Sequence, residues 1–142
     1  MRVVLDTDVV VAALRSTHGA SRQWLRAVLR REVELALPVP LVLQYEEVFL
    51  RAGTLAAIKG TETRVLRLLD LLCALGHPAE RSYSWRPALR DPNDEMVLET
   101  AIHGHADWLL TFNLRDFAGS ERFGIAVERP GPVWRQWRGD QR

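Results

Sequence analysis

Apolar positions fall into short continuous runs separated by longer stretches with helical spacing. Arg2-Val3-Val4-Leu5-Asp6 is β-branched, apolar and closed by an acid, which predicts a first strand with Asp6 at its carboxyl edge. Val9 to Leu14 is too continuously apolar for a surface helix and predicts a buried one, capped by Thr7-Asp8. Ala20 to Glu32 is amphipathic, with Trp24, Leu25, Val28 and Leu29 inward and Arg22, Arg26, Arg30 and Arg31 outward. Glu34 to Leu37 predicts a second strand, closed by Pro38-Val39-Pro40. Helices follow over Leu41 to Ala52 and, capped by Thr61, as far as Leu75 with Val65, Leu68, Leu69 and Leu72 inward. Gly53 to Gly60 between them reads as a break, and Gly76-His77-Pro78 ends the second helix. Arg81 to Arg86, with Tyr83 and Trp85 alternating, predicts a third strand.

The most informative pattern lies further on. Asp91 is a good N-cap, Pro92 suits the first helical position, and Asp94 stands third, where negative charge favours the helix dipole. Met96, Val97, Ala101 and Ile102 form one apolar flank, Glu95, Glu99 and His103 lie on another, and the helix stops near Gly104. Asp107 to Thr111 predicts a short strand buried on both faces, with Asn113 and Asp116 in its exit loop. Ile125 to Val127 predicts a last edge strand, and Pro130-Gly131-Pro132 opens a C-terminal tail, residues 129–142. There Trp134 and Trp137 interleave with Arg135, Arg138 and Arg142, a composition suited to stacking on single-stranded bases, to a partner surface, or to folding back over its own domain. Strands alternating with helices imply a layered α/β domain with a mainly parallel sheet of four or five strands.

Composition narrows the class. The 142 residues, 47% hydrophobic and 26% charged, suit a single globular domain over residues 1–142. A net charge of +1 argues against a strongly electrostatic, nonspecific nucleic-acid binder. Only Lys59 among the nineteen Lys and Arg is a lysine, a bias that reflects genome composition more simply than phosphate recognition. Cys73 stands alone, which excludes a disulfide framework and a thiolate zinc site, and its leucine neighbours suggest a small core residue. Asp6 and Asp8 interrupt the first apolar run, so no signal-peptide core and no membrane span is expected, and the chain reads as soluble and cytoplasmic. His18, His77, His103 and His105 are scattered and read as structural or exposed.

Candidate chemistry rests on carboxylates. Asp6, Asp94 and Asp116, with Glu47 as a fourth, sit on different elements near one sheet edge, where open parallel sheets bind ligands. Gathered carboxylates repel one another, and divalent cations offset that repulsion; hard oxygen donors without thiolates suit Mg²⁺ or Mn²⁺. Such a site activates water for attack on a phosphodiester and stabilises the leaving oxygen.

The block Asp91-Pro92-Asn93-Asp94-Glu95-Met96-Val97-Leu98-Glu99-Thr100-Ala101, followed by Ala106-Asp107-Trp108-Leu109-Leu110-Thr111-Phe112-Asn113-Leu114-Arg115-Asp116-Phe117, closely resembles the C-terminal half of PIN-domain proteins. It is most similar to the group described as toxin components of toxin–antitoxin pairs. Val3-Val4-Leu5-Asp6-Thr7-Asp8-Val9-Val10 resembles that family's first strand, where Asp-Thr-Asn is usual, and Leu41 to Leu50 resembles the element that supplies its second acid. The resemblance implies a three-layer α/β/α PIN-like fold and a Mg²⁺- or Mn²⁺-dependent ribonuclease acting on RNA. It also implies a homodimer, with Trp24, Trp134 and Trp137 as interface candidates, and an antitoxin protein that inserts a helix or arm near the acids.

Carried over, Asp6 matches the first acid and Asp94 the third, while Thr111 matches a Ser/Thr that orients metal ligands or water. Gln44 stands where the second acid is usual; it can coordinate through its carbonyl oxygen without charge, and Glu47 is one turn on. Asn113 stands where many members have Asp, Asp116 follows three later, and Asp8 in place of Asn returns one charge. Gln44 and Asn113 also support a rival reading, a PIN fold with a weakened site that binds RNA or protein without cleaving. A second rival is a resemblance of the Asp6-Thr7-Asp8 strand end to haloacid-dehalogenase-like phosphotransferases, with Asp6 as nucleophile, Asp8 as acid/base and Lys59 as the required lysine.

Overall fold

The computed structural model describes residues 1–78, 89 and 91–141. The predicted strand over Arg81 to Arg86 lies outside the described residues, as do Arg90 and Arg142.

Four strands, β1 (Arg2–Leu5), β2 (Glu34–Leu35), β3 (Trp108–Leu110) and β4 (Val127–Glu128), form one parallel sheet in the order β2-β1-β3-β4. The register sets Val3 opposite both Leu35 and Trp108, Leu5 opposite Leu110, and Leu109 opposite Val127. The two central strands are the continuously apolar ones, and Val3, Val4, Leu5, Leu109 and Leu110 are fully buried. Covering both faces removes the polar alternation a half-exposed strand would show. Ala36 adds a bridge to His77 at the β2 edge.

The layers above and below are α1 (Thr7–Arg15), α2 (Ala20–Leu29), α3 (Val39–Phe49), α4 (Ala52–Ile58), α5 (Glu62–Leu75), α6 (Pro92–His103) and α7 (Pro130–Asp140), giving a three-layer α/β/α arrangement. From β1 the chain crosses to β2 on one side, then returns to β3 on the other. The point where direction reverses lies between the carboxyl ends of β1 and β3, the crevice in which such sheets bind ligands. Among the described residues no helix is long and apolar enough to cross a membrane.

Several local expectations are corrected. Gly53 to Gly60 is not a break but contains α4, which stops where Lys59 takes a left-handed conformation with φ 52°. The apolar residues Leu55 and Ile58 of α4 are only partly buried against the core, too short a stripe for spacing to reveal. The C-terminal tail takes the folded-back alternative, as α7 over Pro130–Asp140. Pro130 occupies the first turn of α7, where a missing N–H costs nothing, and α7 packs on α2. Cys73 is exposed, because the buried stripe of α5 runs through Val65, Leu69 and Leu72 and the next residue is turned away from it. Leu29 is partly out of the core at 36% exposure. Arg22 is not outward-facing; its guanidinium donates to the carbonyls of Ala13 and Leu14 and closes the end of α1.

Gly76 ends α5 against β2, where a Cβ would stand 2.8 Å from both Leu37 Cβ and Leu72 O. Only a residue without a side chain allows α5 to approach the sheet edge this closely. Trp24 is fully buried between α2 and α7, stacked on Trp137 at 5.5 Å and edge-on to Trp134 at 5.1 Å. Its Nε1 donates to the Pro130 carbonyl at 2.9 Å. Trp24 is thus internal to one chain.

Candidate active site

The site is built where β1 and β3 end. Asp6 is the N-cap of α1: Oδ1 accepts from the Thr7 amide at 2.8 Å, so the cap is Asp6 itself and not the expected Thr7-Asp8. Its Oδ2 accepts from Thr111 Oγ1 at 2.7 Å, joining residues 105 positions apart. Thr111, with no exposed surface, in turn accepts from the Asn113 amide at 3.0 Å. Beneath them the buried Tyr45 hydroxyl donates to the Leu5 carbonyl, the residue before Asp6.

Asp8 stands two residues further on, in the first turn of α1. Its Oδ2 accepts from the Phe112 amide and from Asn113 Nδ2, both at 3.1 Å, while Oδ1 is enclosed with no hydrogen-bond partner among the described residues. Asp91 caps α6 by accepting from the Asn93 amide at 2.8 Å, which orients the first turn carrying Asp94. Asp116 is exposed on the short 3-10 turn Leu114–Phe117 that follows Asn113.

Electrostatics shows which of these acids share a space. Burial, followed by the charges of Asp6 and then Asp94, pushes Asp8 up to about 7, against the two backbone amides that oppose the rise. Burial and the charges of Asp6, Asp91 and Asp116 push Asp94 up to about 6. Asp6 is itself raised, chiefly by burial, with Asp116 and Asp91 adding to it and the bonds from Thr111 and Thr7 opposing. Tyr45 is held well above its ordinary value by burial and by Asp6 and Asp8. Asp6, Asp94 and Asp116 thus lie within electrostatic range of one another, as do Asp8 and Asp91. Among the described residues no group of three or more His, Cys, Asp or Glu forms a ready-made metal site. The carboxylates influence one another at electrostatic range without forming a closed cage.

The two α3 candidates part company. Glu47 extends into solvent and pairs with Arg51 at 3.2 Å, outside the acidic group. Gln44 is half-buried, with Oε1 enclosed and unpartnered among the described residues. Lys59 lines a groove with Leu14, Leu25 and Leu68, not the carboxylates a phosphotransferase would need beside it.

The PIN domain profile matches residues 2–115, from the first residue of β1 into the turn after Asn113. The chain belongs to the PIN-domain family. No match was found among curated proteins or solved structures. PIN domains are nuclease-type folds that typically use divalent metals, and the match covers Asp6, Asp94 and Thr111 but stops one residue before Asp116. In this PIN domain, sequence reasoning undervalued Asp8 and Asp91 and missed Tyr45. Asp8 lies two positions after Asp6 and reads as a helix cap and as a replacement charge, without its bonds to the Phe112 amide and Asn113. Tyr45 has no local signal, since only the packing of α3 under β1 brings its hydroxyl to Leu5.

Proposed function

We propose that this PIN domain is a metal-dependent endoribonuclease acting as the toxin of a type II toxin–antitoxin pair. The observation that carries the nuclease part is the bond from Thr111 Oγ1 to Asp6 Oδ2, which anchors a cleft where Asp94 and Asp116 share the field of Asp6. The toxin role is supported by the resemblance of the Asp91 to Ala101 and Ala106 to Phe117 blocks to that group. Oxygen-only donors and the enclosed Oδ1 of Asp8 fit a hard dication such as Mg²⁺ or Mn²⁺. When bound, the ion supplies an activated water and charge neutralisation at the leaving oxygen of the RNA phosphodiester.

The protein's own groups have separate roles. Asp6 and Asp94 would be the principal ligands, Asp116 and Asp8 would supply further charge, and the Gln44 carbonyl would be a neutral donor from α3. Thr111 is a positioning residue, since a buried hydroxyl bonded to one Asp6 oxygen fixes which oxygen faces the cleft. Asn113 Nδ2 holds Asp8. The mutual repulsion that raises Asp8 and Asp94 is the electrostatic counterpart of cation affinity.

The test is cleavage of unstructured and structured RNAs by purified protein, freed of any co-expressed partner, in Mn²⁺, with Asp6→Asn as control. Loss of one metal ligand is expected to lower the rate by roughly 10²- to 10³-fold, the equivalent of several kcal/mol of transition-state stabilisation. Cleavage that persists in Asp6→Asn would defeat the metal-site assignment. The neutral Gln44 and the commitment of Asn113 Nδ2 to Asp8 support a second reading, a weakened site that binds RNA without cleaving it. Intact RNA together with measurable Mn²⁺ and RNA binding is the result that selects it.

A further inference from the structure

We propose that the ring of Phe112 is a stacking platform for an unpaired base of single-stranded RNA, set beside the carboxylates that act on the backbone; this rests on the ribonuclease reading above. Phe112 is 42% exposed, whereas Phe49 and Phe117 are buried in the core. The other exposed phenylalanine, Phe123, has the Arg122 guanidinium over its ring at 5.6 Å. No ring or guanidinium among the described residues stacks on Phe112.

A lone exposed apolar side chain is ordinary on protein surfaces. Phe112 differs in how firmly its backbone is tied to the acids. Its amide donates to Asp8 Oδ2 at 3.1 Å, Thr111 before it holds Asp6 at 2.7 Å, and the Asn113 amide after it donates to Thr111 Oγ1 at 3.0 Å. A ring on a backbone fixed at three successive residues loses little freedom when a base lands on it. The cleft also needs a neutral attraction. Wherever a cation does not neutralise them, its carboxylates repel phosphates, while an aromatic face attracts any base irrespective of charge. Bases in a duplex are already stacked, which limits the platform to unpaired nucleotides.

Fluorescence anisotropy with a labelled, unstructured RNA oligonucleotide, in an Asp6→Asn background that leaves the RNA intact, tests the proposal. Phe112→Ala is expected to weaken binding roughly 5- to 150-fold, the range for one lost base–aromatic stack, and Phe112→Trp to restore it. An abasic substitution at the stacked nucleotide should weaken the parent similarly and add nothing to Phe112→Ala. Mn²⁺ affinity, measured by calorimetry with Asp6 intact, should be the same in both Phe112 variants as in the unmodified chain. RNA binding by Phe112→Ala equal to the parent's, or no recovery in Phe112→Trp, overturns the platform. If the unmodified chain then cleaves RNA, the nuclease reading stands alone; base-dependent binding through Phe112 without cleavage leaves the platform standing and removes the nuclease.

Discussion

The tryptophan cluster and the acidic cleft are both closed by residues more than a hundred positions apart, yet they are opposites in what they leave unsatisfied. Between α2 and α7, Trp24 reaches the Pro130 carbonyl 106 residues away, stacks on Trp137, and is sealed from solvent, while Arg138 covers Trp134 and Trp137 at 5.7 and 5.9 Å. Each polar and apolar need of Trp24 is met inside the chain. Between β1 and β3, the Thr111–Asp6 bond gathers carboxylates whose charges oppose one another, and one oxygen of Asp8 is enclosed without a partner. The first arrangement holds the ends of the chain together. The second gives up stability to hold like charges within range of one another, the arrangement on which the metal-site proposal is argued.

The comparison is broken most severely by truncating Trp24. Trp24→Ala is expected to cost about 3–5 kcal/mol, read as a shift in the urea midpoint, because it empties a buried site and frees the α7 contact. The cleft of the fraction that remains folded should still bind Mn²⁺. A loss under about 1 kcal/mol would mean that α7 is an appendage and not part of the stabilising core.

Next in size is Thr111→Val, which keeps the shape and removes the hydroxyl bonded to Asp6. Mn²⁺ affinity should fall roughly 10- to 100-fold, as for other groups that orient a ligand, and Thr111→Ser should recover most of it. Equal affinity in Thr111→Val would show that Asp6 needs no orientation.

A smaller effect separates the two regions by pH. Asp8 is raised to about 7 and Asp94 to about 6, so both favour the protonated form when folded. Carboxyls raised in this way add stability that is complete below their unfolded value near 3.8 and is lost as pH rises to about 7. The Tm of metal-free protein should therefore decline between pH 4 and 7, and Asp8→Asn should flatten that decline. A Tm that climbs over this interval would contradict the electrostatic account of the cleft. Mn²⁺ should raise Tm most at the upper end, where the carboxylates are ionised.

The smallest effect is expected at Glu47. Its pair with Arg51 is solvent-exposed on both sides, so Glu47→Gln is expected to change stability by about 0.3–0.5 kcal/mol at most. Cleavage and Mn²⁺ affinity should stay within about twofold of the parent, a margin smaller than 1.4 kcal/mol per tenfold. A tenfold drop in Mn²⁺ affinity would bring Glu47 into the site after all.

Much of this was legible in the sequence. The apolar runs at Val3 to Leu5 and Trp108 to Leu110 marked the central parallel strands, because strands covered on both faces lose their polar alternation. Asp6 at the end of one and Thr111 at the end of the other marked the crevice, since parallel strands put their carboxyl ends on the same edge. Local chemistry also determined the Asp91 cap and the start of α6. Tertiary structure alone decided the rest. Spacing could place Asp8 on a helix but could not show that Asn113 would occupy one of its oxygens and leave the other enclosed. It could not separate Gln44 from Glu47, three positions apart on α3, or show that Cys73 faces water and α7 folds onto Trp24. Periodicity reports which side of an element is apolar; which distant charges share a cleft depends on how the elements are stacked, and that is set by the packing of the whole chain.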